Sequence, residues 1–180
     1  MAIKPIIIEP NTLLRQISQP IEKVGESERE LMNNMLETMY AANGIGLAAI
    51  QIGEPKRIIV MDLSKEENKK LPMYFVNPTI TKKNDEKITY EEGCLSVPNQ
   101  FAEIDRPSKC EVEYLDYNGH KQNLQAEGLL ATCIQHEIDH LEGILFIDYL
   151  SKLKKAFILK KLSKHQVKPC LLYTSDAADE

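Results

Sequence analysis

Residues 135–143 read Gln135-His136-Glu137-Ile138-Asp139-His140-Leu141-Glu142-Gly143, and within them stands H-E-x-x-H. On a helix, positions i and i+4 lie on one face, a turn apart. His136 and His140 can therefore grip one metal ion between their imidazoles. Glu137 is offset from that ion but close to a water bound to it, where a general base is needed. The chemistry requires a helix, and the neighbouring residues supply one. Leu129, Leu130, Cys133, Ile134, Ile138 and Leu141 form a broad apolar set at helical spacing, no proline interrupts it, and Gly143 is placed to end it. The alternative is a surface helix whose histidines fall four apart by chance. Only four histidines occur in the chain and two of them flank this glutamate, which favours the metal.

Two histidines need a third ligand. One class of metalloprotease continues the motif to a third histidine after the glycine, but here that position is Phe146. Another takes a glutamate about twenty residues downstream, and after Glu142 no glutamate occurs before Glu180. The ligand is therefore expected upstream, with thiolate the strongest remaining candidate. Cys94, between Gly93 and a strand that ends at Pro98, sits on a defined backbone. Cys110 falls in a predicted strand, Cys133 on the motif helix itself and Cys170 in an atypical tail, so Cys94 is preferred.

The composition is that of a soluble globular chain, 43% hydrophobic and 27% charged. Its formal net charge of −5 gives no whole-protein signal for nucleic acid. No apolar run approaches a membrane span, and the start, Met1-Ala2-Ile3-Lys4-Pro5, lacks the apolar segment of a secretory signal. Four scattered cysteines do not form a disulfide framework. A cytoplasmic, reducing location is expected. Residues 1–168 are expected to form one catalytic domain. Residues 169–180, apolar and then small and acidic, read as a non-native or disordered tail.

Along the chain, Pro5 and Pro10 keep the first residues extended, and residues 11–15 suit a short helical turn. A helix is predicted from Ser27, with Ser27 and Glu30 as a capping box, to Asn43-Gly44. Gly44-Ile45-Gly46-Leu47-Ala48-Ala49-Ile50-Gln51 follows, small enough to let another backbone approach. Taken alone, Gln51 reads as a hydrogen-bonded core residue. Strands are predicted over 57–62 and 73–76, with a hairpin around Asn84-Asp85 and a second around Asn118-Gly119. A Lys-rich helix is predicted from about Ser151 to His165. The fold class is α+β: antiparallel strands packed around a central metal-binding helix, with a C-terminal helix.

Three blocks then stand together. Gly44 to Gln51 resembles the G-φ-G-φ-A-A-x-Q motif of peptide deformylases, Glu92-Gly93-Cys94-Leu95-Ser96 their E-G-C-φ-S motif, and Gln135 to His140 their Q-H-E-x-D-H motif. The likeness runs from about Ile6 to Lys164 and includes the Lys-rich helix of the bacterial type 1 enzymes. It departs at Phe101, where the family often has a basic residue.

The resemblance implies a metal-dependent hydrolase of protein biosynthesis. Such enzymes remove the N-formyl group from the initiator methionine of nascent polypeptides and release formate. It implies Cys94, His136 and His140 as metal ligands. A metal-bound water would attack the formyl carbonyl, with Glu137 as general base and then acid. Gln51 and the Leu95 N–H would stabilise the oxyanion. Ile45, Gly46 and Gly93 would pair with the peptide, and Leu129 and Cys133 would line the methionine pocket. The implied metal is Fe2+, with Zn2+, Ni2+ or Co2+ as alternatives, and a ribosome contact near the exit tunnel is implied for the C-terminal lysines. Two rivals are a peptidase cutting internal bonds and a closed, non-enzymatic metal module. The second needs a fourth ligand, for which neither His120 nor His165 has a motif-like setting.

Overall fold

Strand β2 (Ile58–Met61) is buried at every residue, and its two faces explain the architecture. Ile58 and Val60 cluster with Met32, Met35 and Met39 of helix α1 (Glu26–Ala41). Ile59 and Met61 cluster with Ala131, Ile134, Ile138 and Leu141 of helix α2 (Leu129–Leu141). This is the period-2 alternation of a strand with a helix on each side. Each fully buried aliphatic side chain contributes roughly 1.5–3 kcal/mol, so β2 draws stability from both of its faces.

The structure, a computed structural model, describes residues 1–176, with side chains described to residue 164. Its main sheet has the order β1 (Gly46–Ala48), β2, β3 (Met73–Lys83), β6 (Lys109–Leu115), β7 (Lys121–Glu127), all neighbours antiparallel. A second, two-stranded sheet is formed by β4 (Lys87–Cys94) and β5 (Val97–Pro107). Helix α2 is buried along almost its whole length, as the α+β reading with a central helix requires. Helix α3 (Lys152–Asp176) docks Ile158 and Leu162 against Val97 and Ile104 of β5 and against Phe146 and Ile147.

Several expectations are met at residue level. A 3₁₀ turn, Thr12–Arg15, is capped by the Asn11 side chain. The Asn118-Gly119 hairpin joins β6 to β7, and the Asp116 carboxylate accepts the Asn118 and His120 N–H groups. Gly143 ends α2 with φ 72, a conformation that favours glycine.

Three details differ. The N-cap of α1 is Gly25, not Ser27: Gly25 is extended and its N–H donates to the Glu28 carboxylate at 2.9 Å. Ser27 already lies inside the helix and its hydroxyl turns to Glu28. The turn at Asn84-Asp85 does not join paired strands. The far edge of β3 is taken by β6, so the turn carries the chain into the second sheet, and Asn84 bonds to Ser108 and Lys109 instead. Helix α3 also runs past His165. The reading of residues 169–180 as a non-native or disordered tail lies outside the residues described with their side chains.

Candidate active site

Strand β4 ends at Cys94, and the chain turns through Leu95 and Ser96 so tightly that Cys94 pairs with Val97. That turn presents the thiol to α2. Sγ of Cys94 lies 3.3 Å from Nε2 of His140. One ligand atom from each of Cys94, His136 and His140 lies within 4.8 Å of the others; the i, i+4 spacing predicts the two histidines, and elimination among the cysteines predicts Cys94. Glu137, one residue along the helix, is buried beside them, and its Oε2 has no hydrogen-bond partner among the described residues.

The orientation of His136 is fixed from behind. Its Nδ1 donates to Glu92 Oε1 at 2.8 Å. Glu92 also receives Arg106, through Nε at 2.7 Å and Nη2 at 2.9 Å, and Arg106 Nη1 donates to Asp139 Oδ2 at 2.8 Å. An ionised carboxylate only accepts, so the imidazole keeps a proton on Nδ1, and Nε2 is the nitrogen that would give up its proton to hold a metal. Tyr149 donates to the same Asp139 and lies under the Arg106 guanidinium, 4.9 Å from ring to Cζ. Arg106, 3% exposed, is the residue that sequence reading missed. Its neighbours Asp105 and Pro107 give no signal. Glu92 and Asp139 stand inside the E-G-C-φ-S and Q-H-E-x-D-H motifs, whose spacing alone does not reveal that they share Arg106.

Gln51 sits in the 3₁₀ turn Ala49–Ile52 and is buried. Its Oε1 accepts the Ala48 N–H at 2.9 Å, which turns the donor Nε2 toward Ser96 Oγ at 3.0 Å and Cys94 Sγ at 3.6 Å. It is thus a hydrogen-bonded core residue that also reaches the thiol.

Burial shapes the titration of the cluster. It pushes the Glu137 carboxyl up to about 7, with the charge of His136 opposing and that of Glu92 adding. It holds His140 well below the usual imidazole range, helped by the facing His136, so that His140 is neutral as a ligand must be. For His136, burial is outweighed by hydrogen bonds to Cys94 and Glu92, and the pKa rises well above the ordinary value. Burial also pushes the Cys133 thiol up to about 12 and raises that of Cys110. Both are held as thiols, and a metal needs the thiolate.

A groove of about 530 Å³ opens onto these residues. Ile45, Gly46, Gly93, Leu129 and Cys133 all line it, together with Gln51, Cys94, Leu95, His136 and Glu137. Phe101 lies on its rim, 64% exposed, with its ring against Gly93.

Two imidazoles and one thiol, converging with an open approach and a buried carboxylate alongside, suit a single divalent metal ion. The class so defined is a metal-dependent hydrolase. The sequence model of a family described as polypeptide deformylase matches residues 3–156. A peptide deformylase of Pelagibacter ubique is 74% identical over 164 residues, covering 91% of this chain and 95% of that one. One from Phenylobacterium zucineum is 58% identical over 165 residues, covering 92% and 98%. The crystal structure of peptide deformylase from Ehrlichia chaffeensis in complex with actinonin superposes with a TM-score of 0.86 at 44% identity, covering 92% of this chain and 98% of that one. The chain belongs to the polypeptide deformylase family, metal-dependent hydrolases that take the N-formyl group from the initiator methionine of new polypeptides.

Proposed function

We propose that Cys94, His136 and His140 hold one divalent ion, iron(II) as the working metal, and that Glu137 carries the proton in deformylation. When bound, the metal supplies Lewis acidity that activates water and polarises the formyl carbonyl. Glu137 takes the proton of the attacking water and returns one to the leaving amine. Glu92, held by Arg106, keeps the His136 proton on Nδ1 throughout. The Gln51 side chain and the Leu95 N–H donate to the developing oxyanion, each such donor being worth ~3 kcal/mol of barrier. The peptide lies along Ile45, Gly46 and Gly93 as an added strand, and its methionine side chain enters between Leu129 and Cys133.

The observation that carries this reading is the convergence of one thiol and two imidazoles within 4.8 Å beside Glu137, on a groove open to a peptide. The test is formate release by anaerobically purified, metal-analysed protein, on a formyl-Met peptide and on its unformylated counterpart. Formate from the first and no cleavage of the second is expected. Cleavage of internal bonds in both would mean a peptidase. Cys94→Ala should lose the metal, whereas Cys110→Ala and Cys133→Ala keep it.

The setting proposed is the bacterial cytoplasm, on chains leaving the ribosome. Leu153 and Phe157 of α3 are 82% and 59% exposed among exposed lysines, while Ile158 and Leu162 hold the helix to the domain. An apolar strip edged by Lys154, Lys160 and Lys161 fits a partner rich in phosphates near the exit tunnel.

A further inference from the structure

The chain before the first 3₁₀ turn belongs to no helix or strand, yet its backbone is bonded at alternate residues. The Ile7 N–H donates to the Gln51 carbonyl at 2.7 Å, and the Glu9 N–H donates to the Ser96 carbonyl at 2.9 Å. In extended backbone, residues i and i+2 present their N–H groups on the same edge. One edge of residues 7–9 therefore spans two separate elements, the turn Ala49–Ile52 and the turn between β4 and β5. The Gln51–Ser96 side-chain bond joins the same two elements at 3.0 Å.

This segment is anchored at both ends. Upstream, the Ala2 and Lys4 N–H groups donate to Asn34 and Thr38 of α1 at 2.8 and 2.9 Å. Downstream, the buried Glu9 carboxylate pairs with Arg15 at 3.2 Å. Arg15 also bonds to Asp148, which takes Lys155 of α3 at 2.7 Å. Neither Ile7 nor Glu9 lines the groove. Any effect they have on the reaction must pass through the elements they tie.

We propose that Ile7 and Glu9 are positioning residues: their N–H groups latch the Gln51 turn to the Leu95–Ser96 turn and so fix the spacing of the two oxyanion donors. The inference rests on the oxyanion assignment of Gln51 and Leu95 made above. Reacting groups displaced by about 1 Å lose on the order of 10²-fold in rate, and a latch that sets the separation of two donors acts on that scale.

The test uses the metal-loaded full chain. Ile7→Pro removes one latch N–H, and Ile8→Pro stiffens the same segment at a residue whose N–H makes neither contact. Expected for Ile7→Pro is a fall in kcat of about 10²-fold, with KM and metal content unchanged, while Ile8→Pro stays near the parent. Gln51→Leu is run beside them. In the Ile7→Pro/Gln51→Leu double variant, the second change should add little, because both act on one donor. Parent-like kcat in Gln51→Leu overturns the oxyanion assignment and the latch with it. A slow Gln51→Leu with a parent-like Ile7→Pro overturns the latch alone, as does full multiplication of the two effects. Thermal melting shows whether Ile7→Pro is folded. Where it is not, an α-hydroxy analogue of isoleucine placed at position 7 replaces only the N–H by an ester oxygen, and the same outcomes decide.

Discussion

Gly46 faces Glu137 so closely that a Cβ on Gly46 would stand 2.5 Å from Oε1 of Glu137 and 2.9 Å from its Cδ. The glycine on the edge strand and the carboxylate on the central helix share one van der Waals space. Helix α2 contacts β1 directly, so neither element can back away without opening the core around Ala48 and Ile134.

Gly46→Ala should therefore displace the Glu137 carboxylate rather than the backbone. The expected result is a drop in formate release of about 10²-fold with metal content and melting temperature close to the parent. Kinetics beside metal analysis checks it, and a parent-like kcat would show that the carboxylate can move aside at no cost.

Glu137→Gln keeps the shape of the side chain and removes the proposed base. It should keep fold and metal yet lose formate release by several orders of magnitude. Near-normal turnover would place the proton carrier elsewhere.

Arg106→Met removes the cation from a buried cluster with Glu92 and Asp139. A buried carboxylate left without its partner costs roughly 3–5 kcal/mol. Loss of the group that orients a ligating histidine typically weakens metal binding about 10–100-fold. Urea unfolding and competition with a chelator should show both losses together. A stable variant with parental metal affinity would mean that Glu92 holds His136 unaided.

Acid stability should depend on Asp148. Burial pushes its carboxyl up, but hydrogen bonds from Lys155, the Leu145 N–H and Arg15 outweigh this and hold it below the usual range. A depressed folded pKa means that the unfolded chain binds the proton more tightly. The contribution is present above the ordinary carboxylate value of about 4 and is lost as pH falls through the folded value. Asp148→Asn should melt below the parent at pH 7, and the two melting temperatures should converge as pH drops below about 4. A constant gap across that range would rule out the charge as the cause.

On α3, Lys155 is engaged with Asp148 while Lys154, Lys160 and Lys161 are exposed. Reversing these three to Glu should abolish co-sedimentation with ribosomes at low salt and leave turnover of a free formyl-Met peptide unchanged. Parental co-sedimentation would make the lysines a solvated face only.

The sequence by itself determined the motif helix, the histidine pair on it and the absence of any glutamate between Glu142 and Glu180. Helical period and residue chemistry are local and survive without coordinates. It also named Cys94, because the alternatives could be eliminated by type and setting. What only the tertiary structure decided was everything that depends on two distant segments meeting. Beyond β2, the partner of β3 is β6 and not the next strand, which leaves to form the second sheet with β5. Arg106 is invisible in a strand of mixed residues, and acquires its place when β5 lays it between Glu92 and Asp139. Gln51 reads locally as a core amide. The Ala48 N–H, three residues back, fixes its oxygen; its place beside the thiol follows from Ser96 taking its nitrogen, a contact that no local spacing contains.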